Sequence, residues 1–396
     1  MEVAHSLTCI SFGGVMFSSY SFLPSTLRFS VALSFVVGAL MPSEALSQST
    51  CVRATNRVVN GTVITSLSSA TRTGNCRRGE VSAIAGPTGS DGQLRIYGDG
   101  SSGAKVVASD ETLSDASAQF TDVTINSGVQ LTVPSGTVIR CTGSFVNNGF
   151  IRVQTGASGG QAAGTDSSTI MPAYAPPHSG ISARAAMSGE VGSSSVNRTG
   201  GSGGVGLSLF QAGLLRYPGS FAGGGGAGGF TTAGGKGGGS LVVLCNGPVT
   251  NNAVINANGE DVGLGSSGGG GGVVILASKT SVASGASSSI NAFGGEGGGS
   301  STATGPGGGG GGGIIHFISP MITSVGATLD VSGGQGGSHD LDVSSSPRAG
   351  GPGGGGSGGD GGNGGLIAGG TNIPGNAGSG STGHVISTTA DPTSFF

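Results

Sequence analysis

Runs of glycine alternate with short aliphatic bursts between Gly223 and Gly370, and this alternation restricts the fold more than any other feature of the chain. One unit recurs three times. Gly237-Gly238-Gly239-Ser240 leads into Leu241-Val242-Val243-Leu244, Gly268–Gly272 into Val273-Val274-Ile275-Leu276, and Gly307–Gly313 into Ile314-Ile315-His316-Phe317-Ile318. After a Ser/Thr/Ala-rich reversal comes a second burst that closes on glycine. These second bursts are Ile255-Asn256-Ala257-Asn258-Gly259, Ile290-Asn291-Ala292-Phe293-Gly294 and Leu329-Asp330-Val331-Ser332-Gly333. The connections between bursts differ in length, so the pattern reads as similar layers stacked with variable tips.

Glycine-rich sequence usually forms a flexible linker, because ordering glycine is entropically costly. Flexible linkers do not carry Ile-Ile-His-Phe-Ile at their ends, however. Glycine also lets neighbouring extended chains touch, so that parallel segments satisfy one another's N–H and C=O groups. The expectation is therefore an ordered bundle of polyglycine II segments joined to short strands.

Upstream, runs of four or five residues rich in Val, Ile, Thr and Phe arrive at short intervals between glycine turns, as in Val129–Val133, Thr137–Cys141 and Phe150–Val153. This spacing suits a β-solenoid, in which a layer buries its apolar side only by stacking. Beyond residue 47 no segment shows a helical period. The fold class expected is mainly β: solenoid-like layers of short strands followed by a glycine-rich repeat array. In order, we read 1–47 as a signal peptide, 48–92 as an irregular, strand-containing N-terminal cap stapled by its cysteines and 93–156 as the short-strand solenoid region. An irregular excursion at 157–222, the glycine array at 223–370 and a capping or fraying tail at 371–396 complete the chain.

The signal-peptide reading rests on the apolar run Phe29–Met41, led by Arg28 and followed by small residues at Ala45 and Ser47. The run is short for a membrane span, so no stable span is expected after cleavage. Met16 offers an alternative start. Four cysteines follow: Cys51, Cys76, Cys141 and Cys245. Three pairings are open. Cys51 with Cys76 is the natural local pair and the disulfide candidate, while Cys141 and Cys245, each ending an aliphatic strand, are read as buried thiols unless another pairing engages them.

Two segments resemble a known group. Gly98–Gly103, Phe120–Gly128 and Val129–Val153 look like the opening of glycine-rich tail proteins of phages and prophages and of related bacterial glycine-rich β-solenoid surface proteins. The glycine runs with variable tips are similar to the distal tail-fibre adhesins of T-even-type phages. That resemblance implies a rigid sandwich of polyglycine helices whose loops touch a host receptor. A signal peptide departs from it, because phage tails assemble in the cytoplasm, and this favours a bacterial exported protein.

Chemistry-bearing motifs are sparse. G-x-S-x-G occurs around Ser202 and Ser357 without the strand-to-helix elbow that its nucleophile needs. Lys236 sits among glycines, but a P-loop requires Ser or Thr where Gly237 stands. His339, Asp340 and Asp342 form the most ligand-like cluster, though too few ligands accompany them for a calcium site. We expect no catalytic or metal residues and no cofactor. With 9% charged residues and a formal net charge of −3, an electrostatic grip on nucleic acid is not expected either. The candidate binding residues lie on tips: Leu214, Arg216 and Tyr217 in one, His339, Asp340, Asp342 and Arg348 in another. The expected function is non-enzymatic adhesion or receptor binding at a cell surface, with a glycan or protein receptor as partner and a homo-oligomer admitted. The alternatives are a self-associating matrix protein and a polysaccharide-acting solenoid enzyme.

Overall fold

A computed structural model of the chain describes residues 96–114, 118–159, 200–215, 223–229, 232–300, 304–339, 354–366 and 375–396, and the strands before residue 84 by their backbone alone. The chain forms two units, Met1–Gly86 and Pro87–Phe396. In the first, β1 (Cys9–Phe12) and β2 (Val15–Ser18) pair antiparallel. β3 (Gln48–Val59) and β4 (Thr62–Thr73) pair from Gln48↔Thr73 to Val59↔Thr62, and β5 (Val81–Ala83) pairs with β3 at Cys51↔Ser82. The strands expected within this cap are thus a long antiparallel hairpin with a third strand beside it. Asn60-Gly61 is the two-residue sequence between its strands, a dipeptide that tight hairpin turns prefer. The run Phe29–Met41 lies outside the described residues.

The second unit winds in coils of three short strands. A partial coil of β6 (Lys105–Val107) and β7 (Glu111–Thr112) precedes β8 (Gln119–Phe120), β9 (Val123–Ile125) and β10 (Gln130–Val133). Next come β11 (Thr137–Cys141), β12 (Phe145–Asn147) and β13 (Phe150–Val153), then β14 (Ser240–Cys245), β15 (Val249–Asn251) and β16 (Val254–Asn256). A further coil comprises β17 (Val273–Ser278), β18 (Val282–Ser284) and β19 (Ser289–Asn291), followed by β20 (Ile314–Ile318), β21 (Ile322–Thr323) and β22 (Thr328–Asp330). β23 (His384–Thr388) adds a last strand. Equivalent strands pair parallel into three six-stranded sheets: the first is β8-β11-β14-β17-β20-β23, the second β6-β9-β12-β15-β18-β21, the third β7-β10-β13-β16-β19-β22. The layout is mainly β and solenoid-like.

Inward side chains repeat coil by coil. Ile139, Val243, Leu276 and Phe317 stack in the first sheet, Phe145, Val249 and Val282 in the second, and Leu131, Ile151, Ile255 and Ile290 in the third. All are buried in one continuous core, and each such side chain contributes about 1.5–3 kcal/mol of apolar burial. The first sheet is buried on its outer side too. There Val242, Leu244, Val273, Ile275 and Ile314 pack with Tyr97, Ala212, Phe395 and Phe396.

Several expectations change. Each coil has three strands rather than two bursts: β15, β18 and β21 occupy the stretch read as a reversal. They escape notice because strands this short hold only one or two inward residues, such as Val249, Val282 and Ile322. Leu241 pairs with Val274, not Val273. With both faces apolar, alternation carries no parity, so the tetrads align equally well one residue out of step. The solenoid strands and the glycine-rich region also share the same sheets, since β11, β12 and β13 pair directly with β14, β15 and β16. A short helix, Leu209–Leu214, does form; the capping box of Ser208 and Gln211 announces it. The tail neither frays nor merely caps over its described residues, because β23 pairs with β20. The Tyr97 hydroxyl meets Thr393 Oγ1 at 3.2 Å, tying the unit's start to its end, and burial raises the phenol's pKa.

Cys141 and Cys245 are disulfide-bonded across 104 residues, with their Cα atoms 4.6 Å apart as register partners. The buried-thiol alternative therefore falls. Cys51 stands on β3, described by backbone only, and Cys76 lies outside the described residues.

The glycine segments leave the sheets and bond to one another at every third residue. Gly307, Gly310 and Gly313 donate to Gly298, Gly295 and Ala292, while Gly309 and Gly312 donate to Gly378 and Ser381. Gly311 donates to Gly355. The carbonyls of Gly308 and Gly311 accept from Gly268 and Gly271, those of Gly307 and Gly310 from Gly337 and Gly334, and that of Gly309 from Gly362. Six neighbouring segments thus surround this one, and a threefold chain needs such an environment. A Cβ at Gly310 would collide with the Gly269 carbonyl, whereas one at Gly263 meets nothing within 4 Å.

Two outcomes follow for stability. Gly310→Ala is expected to lower stability by about 1–3 kcal/mol, while Gly263→Ala is neutral or stabilising by up to about 1 kcal/mol; equal denaturation midpoints for the two would contradict this packing. Replacing Cys141 and Cys245 with serine should cost about 2–5 kcal/mol, read from denaturant unfolding of the oxidised parent and the variant.

Candidate functional site

The outward face of the third sheet supplies the richest side-chain surface. Parallel register places Thr132, Arg152, Asn256, Asn291 and Asp330 in one column, and Gln130, Phe150, Val254, Ser289 and Thr328 in the next. Neighbours along a column lie about 4.8 Å apart. Where the strands pass into glycine segments, the period changes from two to three. Asn258, Asp261 and Leu264 then occupy the outer row in one layer, Phe293, Glu296 and Gly299 in the next, and Ser332, Gln335 and Ser338 after that. In the last two layers this is an X-Gly-Gly triplet: two residues in three face other backbones, and the third is free to carry a side chain.

Polar residues on this surface join adjacent layers. Asn258 Oδ1 accepts the Phe293 N–H at 3.2 Å, and Asp261 Oδ1 accepts the Glu296 N–H at 2.8 Å. Ser379 Oγ accepts the Gly336 N–H at 3.2 Å and donates to Gln335 Oε1 at 3.4 Å.

Toward the N-terminal coils the same face hollows into a groove of about 730 Å³. Its floor holds Gln130, Thr132, Phe150, Arg152 and Asn256, and its sides Gln154, Thr155, Asn258, Lys236 and Glu260. The rim closes through the backbone: the Glu260 N–H donates to the Lys236 carbonyl at 2.9 Å, and the Lys236 N–H donates to Glu260 Oε2 at 3.1 Å. Phe150 is half-buried, and Arg152 and Lys236 are exposed. Neither cation forms an ion pair among the described residues, where Lys105 and Glu111 do pair, at 2.6 Å. Such a lining can stack an apolar ring, exchange hydrogen bonds with hydroxyls and attract an anion. Among the described residues Glu260 is its one carboxylate, where glycoside cleavage uses a pair.

The tip residues expected from sequence fall elsewhere. Leu214 is 58% exposed on its helix beside Leu209 and Phe210, at 59% and 75%. Arg216 and Tyr217 lie outside the described residues. His339 is exposed, and Asn376 Oδ1 accepts its N–H at 3.2 Å and lies 3.3 Å from its Nδ1. Asp340, Asp342 and Arg348 are outside the described residues. Among the described residues no group of three or more His, Cys, Asp or Glu side chains is placed to hold a metal ion. No helix there is long and apolar enough to cross a membrane. Ser357, central to one G-x-S-x-G match, is buried and donates its hydroxyl to the Gly312 carbonyl at 2.8 Å, a structural role. His316 is likewise buried, with Nε2 2.8 Å from Thr388 Oγ1.

Sequence reasoning missed Phe150, Arg152, Lys236 and Asn256. Aligning Phe150-Ile151-Arg152 with Val254-Ile255-Asn256 and Ser289-Ile290-Asn291 would have exposed a polar column, since the central isoleucine of each is inward. Compared with known proteins, the chain matches no protein-family model, no curated protein and no solved structure.

Proposed function

We propose that this chain is an exported, non-enzymatic surface protein that presents recognition residues on a rigid scaffold of β-coils and polyglycine II segments, for adhesion or receptor binding. One observation carries the reading. In the layers that begin at Phe293 and Ser332, the outward third positions carry Phe293, Glu296, Ser332, Gln335 and Ser338 between glycines packed against other backbones, and these positions form rows on the face that holds the groove. Inner positions are constrained by backbone contact and outer ones are free, as a display surface requires. The resemblance to glycine-rich tail-fibre adhesins agrees, and the apolar run Phe29–Met41 supports export. Fluorescently labelled protein is expected to bind intact cells or immobilised surface glycans saturably, competed by unlabelled protein. Glu296→Ala combined with Gln335→Ala and Ser379→Ala should weaken that binding several-fold with an unchanged circular dichroism spectrum. Absence of saturable binding to every surface tried would remove this reading.

A self-associating matrix role has its own support at the C-terminal end of the solenoid. There β21, β22 and β23 each have a partner strand on one side only among the described residues, and Met321, Val325 and Val385 are 60%, 80% and 41% exposed. Open edges with apolar neighbours are templates for strand pairing. Static light scattering should show mass rising with concentration, and Val325→Lys should suppress the rise; a mass independent of concentration excludes this role.

A further inference from the structure

We infer that the groove on the third sheet binds an acidic glycan, a chain of sugars bearing carboxylate or sulfate groups. The inference rests on the adhesive reading and names the ligand class of that surface. Phe150 is half-buried, so its ring offers a flat apolar face to the C–H side of a sugar, while its column neighbour Gln130 and the amides of Asn256 and Asn258 supply donors and acceptors for hydroxyls. A volume of about 730 Å³ accommodates about two or three sugar rings, on the scale of ordinary ligand pockets.

Charge narrows the class. The whole chain carries a formal charge of −3, yet the groove is lined by two cations and one carboxylate. Glu260 already accepts the Lys236 backbone N–H, and neither Arg152 nor Lys236 is consumed by an ion pair among the described residues. An exposed guanidinium presents a planar fork that matches a carboxylate or sulfate in bidentate fashion, and the lysine adds a second point charge.

Other polymers fit less well. A peptide adding as a strand needs an open edge, and β13, which carries Phe150 and Arg152, is paired on both sides by β10 and β16. Nucleic acid requires an extended basic track, which a chain with 9% charged residues and net negative charge does not supply.

Affinity electrophoresis of the full chain through gels holding polygalacturonate, dextran sulfate or neutral dextran tests the assignment. Retardation by an acidic polymer, and not by dextran, is expected at low salt and should weaken several-fold at physiological salt. Arg152→Ala should lower the affinity about tenfold or more, Arg152→Lys should retain part of it, and Lys236→Ala should weaken it less. Arg152 is exposed, so the spectrum and melting temperature of its variants should match the parent. Retardation by polygalacturonate alone assigns the forked carboxylate contact, and equal retardation by both acidic polymers assigns recognition of charge on sugar. Dextran binding as tight as polygalacturonate binding, or full affinity in Arg152→Ala, overturns the acidic-glycan assignment. Saturable cell binding that survives Arg152→Ala would then leave the adhesive reading standing, whereas loss of binding to every polymer and every cell surface removes both.

Discussion

The backbone hydrogen bond between neighbouring glycine segments is the interaction on which the second unit depends. A lone run such as Gly307–Gly313 would stay disordered, because fixing each residue costs about 1–2 kcal/mol and glycine is the most expensive of all. One hydrogen bond returns only about 1 kcal/mol net. Order becomes favourable when the same residues bond in several directions at once. Gly307–Gly313 does this, giving and taking bonds with segments around Gly268, Gly295, Gly334, Gly355, Gly362 and Gly378. Removing any one segment leaves buried N–H and C=O groups without partners, so the layers stand or fall together.

Such cooperation needs something to set the layers in register, and the solenoid provides it. Strands continue directly into glycine segments: β16 leads to Asn258, β19 to Phe293 and β22 to Ser332. Parallel pairing of Ile290 with Ile255 on one side and Leu329 on the other sets the height of each coil, so the glycine segments begin already aligned. The strand spacing is then imposed on chains that have no side-chain packing of their own. The Cys141–Cys245 bond does related work where the long insertion between β13 and β14 separates neighbouring coils.

How much of this the sequence discloses depends on whether a residue's partners are near in the chain. Alternating bursts such as Val129–Val133 disclosed the strands, and Ile255, Ile290 and Leu329 disclosed the coil repeat, because an inward apolar residue is demanded at every turn. Register between β14 and β17 was hidden, since Leu241–Leu244 and Val273–Leu276 are buried throughout and no polar residue within either tetrad marks a face. The later strands of the second sheet, β15, β18 and β21, were hidden for the opposite reason: Val249, Val282 and Ile322 are isolated apolar residues among Ser, Thr and Asn. The groove was not legible at all. Lys236 reaches Glu260 only because the insertion after β13 returns to the sheet, and no local pattern records that return.

Composition and function meet in the period-three rule. In a strand half the positions face outward, and in a glycine segment one in three does, so the outward side chains are sparse but their background is uniform. An outward residue such as Gln335 lies between glycines whose positions are set by backbone contact alone. Its identity is therefore largely decoupled from the fold. The inward isoleucines and the inner glycines cannot change without disturbing neighbouring layers, while Phe293, Glu296, Ser332 and Gln335 can. A protein built this way separates its stabilising residues from its displayed ones more completely than a packed globular domain, where an exposed side chain usually shares contacts with the core beneath it. That separation allows the face to vary while the layers persist.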